Sequence, residues 1–375
     1  MRVVEEGSHA IAEAVKLCAP KVIAAYPITP QTHIVERLSE MVANGELDAE
    51  FLNVESEHSA MSACIGAQAT GVRTFTATAS QGLALMWEML YIASGMRLPI
   101  VMAVANRALS APLNIWNDWS DSLGARDSGW IQLYCRNNQE AHDTIIQAYK
   151  IAEDLDVMLP VMVCVDGFYL THTLEPFELI SSVKNFLGDY KPKVTLDPEF
   201  PISQGEYAGP DYYQEFREDQ ENAMQKANQI IKKTNLDFGK VFGRRYGDGM
   251  IEKINMSNAK HAIITMGTLS ETIEYVLKKE KIKDIGLIRL RSFRPFPAKE
   301  IQVALQGIKT VGVIEKDISP GLGGVLWSEV KTFTNKPATD FIAGLGGRDV
   351  TINEIKDVLK AVRKGEDKVY WVGRR

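Results

Sequence analysis

Lys21–Glu57 reads KVIAAYPITPQTHIVERLSEMVANGELDAEFLNVESE. Its first residues, Lys21–Tyr26, predict a buried strand that ends abruptly at Pro27-Ile28-Thr29-Pro30. Proline has no amide hydrogen for a sheet ladder and locks its own φ, so two prolines this close take the chain out of the strand. Pro30 suits the first turn of a helix, with Thr29 before it as the cap. That helix is expected over Gln31–Val42, where Ile34, Val35, Leu38, Met41 and Val42 recur at helical spacing. Thr29, held between prolines at the carboxyl end of a strand, is then aimed at the sheet edge where open α/β sheets bind ligands.

Outward from this stretch, strand and helix signals alternate. Residues 8–19 predict an amphipathic helix, with Ala10, Ile11, Ala14, Val15 and Cys18 on one face. Glu50–Val54 is a second strand leading to Ser56, the expected cap of a helix over Glu57–Gly71. That helix is rich in small residues (Ser59, Ala60, Ser62, Ala63, Gly66, Ala67), which let another backbone approach. Thr74–Thr78 is a third strand by its β-branched alternation. Ala79-Ser80-Gln81-Gly82 turns the chain into a helix over Leu83–Gly95. Leu98–Ala105 is a strand apolar almost throughout, as in parallel sheets covered on both faces, and Asn106 and Arg107 stand at its end. A long loop follows, holding Trp116, Trp119 and Trp130 among Asp118, Asp121, Arg126 and Asp127; its length and aromatic content mark it as functional. A helix over Gln139–Leu155 and a strand over Pro160–Val165 complete a mostly parallel sheet with helices on both faces.

Residues 174–255 read differently, as an irregular proline-containing arm and then a charged helical run over 212–234, mostly solvated. Strand and helix alternation resumes near Ala259 and continues to the end of the chain. The expected organisation is a domain over 1–235 with an arm from about 174, a linker over 236–258, and a second, smaller α/β domain over 259–375.

Composition narrows the function. Of 375 residues, 45% are hydrophobic and 24% charged, with a net charge of −6 and no long basic run, against a nucleic-acid or anionic-membrane surface. There is no apolar run long enough to span a bilayer, and MRVVEEGSHA lacks the parts of a signal peptide, so a cytoplasmic protein is expected. The four cysteines, Cys18, Cys64, Cys135 and Cys164, are far apart, sit in apolar stretches and form no C-x-x-C, so they read as buried small hydrophobes. If the protein handles electrons, its metal centre lies on another chain. The histidines show no metal spacing, and only His58, beside Glu57, is placed near a site.

Pro320-Gly-Leu-Gly-Gly and Gly344-Leu-Gly-Gly-Arg lack both nucleotide fingerprints and read as tight turns. Gly247-Asp248-Gly249 resembles the Gly-Asp-Gly element that binds the metal of a diphosphate, but the asparagines needed downstream are missing. Glu57, at a helix start with small or apolar neighbours, can share a proton with an aromatic ring nitrogen; Glu55 is its competitor. Arg107, ending an apolar strand, is costly to bury without an anion and fits a carboxylate; the bland alternative is an ion pair with Asp118, Asp121 or Asp127.

With these residues set out, the chain resembles the α subunits of the 2-oxoacid:ferredoxin oxidoreductase family, the pyruvate:ferredoxin oxidoreductases in particular. Carrying the resemblance are Tyr26-Pro-Ile-Thr-Pro30, Glu55-Ser-Glu-His-Ser59, Thr78-Ala-Ser-Gln-Gly82, Ala105-Asn-Arg107 and Ala125-Arg-Asp-Ser-Gly-Trp130. It implies a doubly wound pyrimidine-binding domain for thiamine diphosphate and a transketolase C-terminal-like domain concerned chiefly with assembly. It also implies Glu57 against N1′ of the aminopyrimidine, Thr29 and Arg107 on the substrate carboxylate, and Pro27, Ile28, Ser80 and Gln81 around the cofactor. No metal is expected on this chain. A β subunit should bring the diphosphate half with its Mg²⁺ and nearby [4Fe-4S] wiring, and γ and δ subunits should complete the complex. The implied reaction is CoA-dependent oxidative decarboxylation of pyruvate, reversible, with ferredoxin as acceptor, in an anaerobic bacterium or archaeon. Alternatives are another oxoacid (branched-chain, aryl or oxalate) and a non-catalytic scaffold subunit.

Overall fold

The computed structural model describes residues 1–374. Its larger sheet has seven strands, in the order Ser292–Arg294, Ile131–Tyr134, Val161–Asp166, Val101–Asn106, Thr74–Thr78, Val22–Ala25 and Glu50–Asn53. All neighbours are parallel except the first pair. A second sheet has six strands, in the order Val369–Trp371, Ala338–Ile342, Thr310–Glu315, His261–Thr265, Ile285–Leu290 and Ile251–Ile254, with only the last antiparallel. The central strands Thr74–Thr78, Val101–Asn106 and Val161–Asp166 are buried at every residue, as helices on both faces require. From Val22–Ala25 the chain moves outward to Glu50–Asn53, then crosses back to Thr74–Thr78 on the other side. The crevice between the carboxyl ends of the Val22 and Thr74 strands is thus a topological switch point. Among the described residues no helix is long and apolar enough to cross a membrane.

Several expectations are corrected. Thr29 caps no helix: the helix is Thr32–Ala43, and Gln31 precedes it. The fully buried Gln31 side chain closes the turn itself, accepting the Ile28 N–H at 3.2 Å and donating to the Ala77 carbonyl across the switch point at 2.6 Å. The expected helix over Leu83–Gly95 starts earlier, at Ser80, and breaks at Met86 into Ser80–Leu85 and Trp87–Gly95. Trp119 and Trp130 belong to the core, their indole N–H groups bonded to Asp166 and to the Leu90 carbonyl, and of the loop's three tryptophans Trp116 alone is exposed. The arm is less solvated than its charge implies. Leu174–Glu178 pairs with the N-terminal Arg2–Glu6, and the 30-residue helix Tyr213–Phe242 buries Ala223, Ala227, Ile231, Thr234 and Phe238 along one stripe. The stretch 236–258 carries the end of that helix and the edge strand Ile251–Ile254. Ser292–Arg294, directly after the Ile285–Leu290 strand of the second sheet, joins the larger sheet.

Candidate active site

The switch-point crevice gathers three loops. At one side Ser56 caps the helix Glu57–Ala69, its hydroxyl oxygen accepting the Ser59 N–H. This sets Glu57 in the first turn, only 6% exposed, against the Ser80 helix. A Cβ added to Gly82 would lie 2.5 Å from Thr78 Oγ1 and 2.6 Å from Glu57 Oε1, so the absence of a side chain there makes the space these groups occupy. The buried Thr78 hydroxyl has no hydrogen-bond partner, and none of the described donors bonds to the Glu57 carboxylate. Glu55 is exposed and accepts from the Ser59 hydroxyl, which lowers its pKa, so it is not the buried acid. His58 is half-buried and its nearest acidic partner is Glu88, at 4.0 Å.

Arg107 lies at the other side, 7% exposed. Its Nε donates to the Asn114 carbonyl at 3.0 Å and its Nη1 to the Thr29 carbonyl at 2.9 Å, while Nη2 has no partner among the described residues. The ion pair offered as the bland alternative does not form with Asp118, Asp121 or Asp127. Burial lowers the guanidinium pKa, and the charge of Asp121 opposes the shift only in part. Asp121 serves the backbone instead. Its Oδ2 accepts the N–H of Ser80 at 2.9 Å and of Arg107 at 3.0 Å, and its Oδ1 accepts from Asn106 at 2.8 Å and Ser122 at 2.7 Å. One buried carboxylate thus ties the turn beneath Glu57 to the strand end bearing Arg107. Burial raises the pKa of Asp121 to about 6, against those four donors.

The other expected site residues are placed unequally. Thr29 and Pro27 are exposed at the mouth of the crevice, and Ile28 and Gln81 are half-buried. Ser80 is fully buried, with φ 50° and its hydroxyl bonded to the Ala108 carbonyl at 2.6 Å, so it shapes the turn from inside. Gln31, Thr78 and Asp121 were missed as site residues, although each lies in or beside a stretch already singled out. A cleft of about 410 Å³ beside Pro27 is lined by Ala25, Val35, Ser39, Phe51 and Asn53, and by neither Glu57 nor Arg107. No group of three His, Cys, Asp or Glu among the described residues is arranged to hold a metal ion. The four cysteines are buried, and burial pushes the Cys64 and Cys135 thiols up to about 12.

Two family models match the chain. Residues 13–235 match the thiamine-diphosphate-binding model of pyruvate flavodoxin/ferredoxin oxidoreductases, and residues 259–355 match core domain II of pyruvate:ferredoxin oxidoreductases. Pyruvate synthase subunit PorA of Methanocaldococcus jannaschii is 57% identical over 98% of this chain and 96% of its own length. The subunit of the same name from Methanothermobacter thermautotrophicus is 48% identical, over 98% and 96%. Among solved structures, a 2-oxoglutarate:ferredoxin oxidoreductase from Magnetococcus marinus superposes with a TM-score of 0.75 at 18% identity. That match covers 96% of this chain, which spans 65% of the solved chain, and it carries the fold.

Proposed function

The chain belongs to the pyruvate flavodoxin/ferredoxin oxidoreductase family, and on that premise we propose that its switch-point crevice is the aminopyrimidine half of a thiamine diphosphate site. The enzyme is a multisubunit pyruvate:ferredoxin oxidoreductase, which converts pyruvate and coenzyme A to acetyl-CoA and CO₂ and passes two electrons to ferredoxin, reversibly. One observation carries the reading: a buried Glu57 carboxylate with no internal donor, beside an unpartnered Thr78 hydroxyl, over a glycine that leaves them room. A buried hydroxyl without a partner is uncommon in folded chains, and a ring carrying nitrogen donors and acceptors suits both it and the neighbouring carboxylate.

When bound, thiamine diphosphate supplies the electron sink for loss of CO₂ from a 2-oxoacid. This chain's residues do the rest of the local work. Glu57 would hold a proton against the ring nitrogen once a partner subunit closes the crevice to water. Pro27, Ile28 and Gln81 would border the ring, and Ser80 shapes the turn that leads into this side of the crevice. Arg107 takes the oxoacid carboxylate with its unpartnered Nη2, and Thr29 borders the small side chain of pyruvate. Residues 1–235 act as the pyrimidine-binding unit and 259–375 as the transketolase C-terminal-like unit. The crevice is open on this chain alone, so a β subunit closes it, bringing Mg²⁺ for the diphosphate and, with γ and δ subunits, the [4Fe-4S] path to ferredoxin. Exposed Leu109, Leu113 and Trp116, with the outward small residues Ser59, Ala63 and Gly66, offer surface for that closure. The complex is cytoplasmic.

Glu57→Ala in the purified complex tests the reading. Exchange of the thiazolium C2 proton and turnover with pyruvate should both fall by about 100-fold or more while the subunits stay assembled. Undiminished turnover removes Glu57 from the mechanism and leaves the chain a scaffold. A panel of oxoacids with viologen reduction then ranks pyruvate against branched-chain, aryl and dicarboxylic competitors.

A further inference from the structure

Gly344-Leu-Gly-Gly-Arg348 follows the Ala338–Ile342 strand of the second sheet, and sequence alone makes it no more than a tight turn. We propose that this turn, acting through Asn114, positions the guanidinium of Arg107 and so sets the affinity for the oxoacid. The inference rests on the reading of Arg107 as the ligand of the substrate carboxylate. It gives the second domain a part in substrate binding beyond assembly.

The connection is continuous in hydrogen bonds. Arg107 Nε donates to the main-chain oxygen of Asn114 at 3.0 Å. The Asn114 side chain donates to the Gly346 carbonyl at 3.0 Å and accepts the Trp116 N–H at 2.6 Å, which fixes its amide orientation. Further along the same loop, the Gly346 N–H donates to Asp118 at 3.2 Å and the Gly347 N–H to the Asn117 carbonyl at 2.6 Å. Lys316, just past the Thr310–Glu315 strand of the second sheet, donates to Asn117 Oδ1 at 2.8 Å and pairs with Asp166 at 2.8 Å. Asp166 stands in register with Asn106, the residue before Arg107.

Glycine is required for this approach. Gly346 and Gly347 have φ of 57° and 77°. A Cβ on Gly346 would come within 2.5 Å of Asn114 Nδ2, and one on Gly347 within 2.3 Å of the Trp116 Cβ. Only residues lacking a Cβ let the turn reach main-chain contact with the loop. The consequence falls on the guanidinium, a planar fork whose donors point in fixed directions. With Nε held by Asn114 and Nη1 by Thr29, Nη2 is left for a substrate anion. Releasing Nε lets the fork rotate and loses that alignment.

The test uses the full multisubunit complex carrying Gly346→Ala, Asn114→Ala, Arg107→Ala, or Arg107→Ala with Gly346→Ala. Three quantities are read: kcat and KM for pyruvate with viologen, the Kd of oxamate by calorimetry, and C2-proton exchange without oxoacid. Gly346→Ala and Asn114→Ala should each raise the pyruvate KM and oxamate Kd about tenfold, the worth of one weakened charge-assisted hydrogen bond. C2-proton exchange should stay within about twofold, and the double variant should bind oxamate no more weakly than Arg107→Ala. Unchanged affinity in the two turn variants, with Arg107→Ala impaired, overturns the positioning role and leaves the Arg107 reading standing. Normal affinity in Arg107→Ala overturns that reading and this inference with it. Additive losses in the double variant, or a parallel fall in C2 exchange, also overturn the inference, since the turn would then act by another route. If Gly346→Ala fails to assemble, Asn114→Ala, which removes one side-chain tie, decides.

Discussion

Arg107 shows how a single side chain's role divides between sequence and structure. A guanidinium buried to this degree without a carboxylate is held at a desolvation cost that a bound anion offsets. Hydrogen bonds to charged groups are worth roughly 1.5–3 kcal/mol, so Arg107→Ala should raise the pyruvate KM by about 10- to 100-fold. Arg107→Lys should recover only part of this, because an ammonium keeps the charge and lacks the fork. Steady-state kinetics on the complex measures both, and an unchanged KM would make Arg107 structural. The residue was legible because an arginine ending an apolar strand is conspicuous. Its partners were not: Asp118, Asp121 and Asp127 lie in one loop, and only packing assigns Asp121 to the amides of Ser80 and Arg107.

At the scale of elements, the turn from the Thr74 strand into the Ser80 helix matters most. Gly82→Ala should fold, since alanine is the better helix former. Its methyl group would nevertheless enter the space beside Thr78 Oγ1 and Glu57 Oε1. The affinity of the complex for thiamine diphosphate should fall about tenfold, the cost of displacing one well-placed hydrogen-bonding group, as equilibrium dialysis would show. Undiminished affinity would mean that the space belongs to no cofactor. The Thr74 strand was legible by its β-branched alternation, and its neighbour ending at Asn106 by being apolar almost throughout, as strands covered on both faces are. Ile131–Tyr134 was missed, being four residues at the end of a long polar loop, too short for a periodic signal. The cap assigned to Thr29 failed because Gln31, whose side chain ties its own turn to the Thr74 strand, had no local signature.

At the scale of the whole molecule, the two sheets are joined by buried charge. Glu140, on the helix Asn138–Ala152, takes both terminal nitrogens of Arg289, at 2.9 and 3.0 Å, and the Nε of Arg291 at 3.1 Å. Burial pushes its carboxyl pKa up, but Arg289, Arg291 and Arg136 outweigh burial and hold it below the ordinary 4.5. A depressed folded-state pKa gives stability that is present above the unfolded value and lost as pH falls through the folded one. Glu140→Ala should therefore cost roughly 3 kcal/mol at neutral pH, the low end for breaking a buried pair, because Arg289 keeps Glu252 and Arg291 keeps Gly249, Thr144 and Gln147. That cost should shrink as the parent is acidified below 4.5, which urea titrations across pH would show. An equal cost at every pH would mean that packing, and not charge, is lost. The sequence by itself determined the alternation of strands and helices and singled out Glu57 and Arg107 as candidates at a sheet edge, because periodicity, proline and a charge ending an apolar run act over a few residues. Tertiary structure alone decided that Ser292–Arg294 crosses to the other sheet, that Thr78 and Glu57 meet over Gly82, and that the Gly344–Arg348 turn reaches the Arg107 loop. Those contacts join residues far apart in the chain, and their geometry follows from how whole layers pack, which no local pattern encodes.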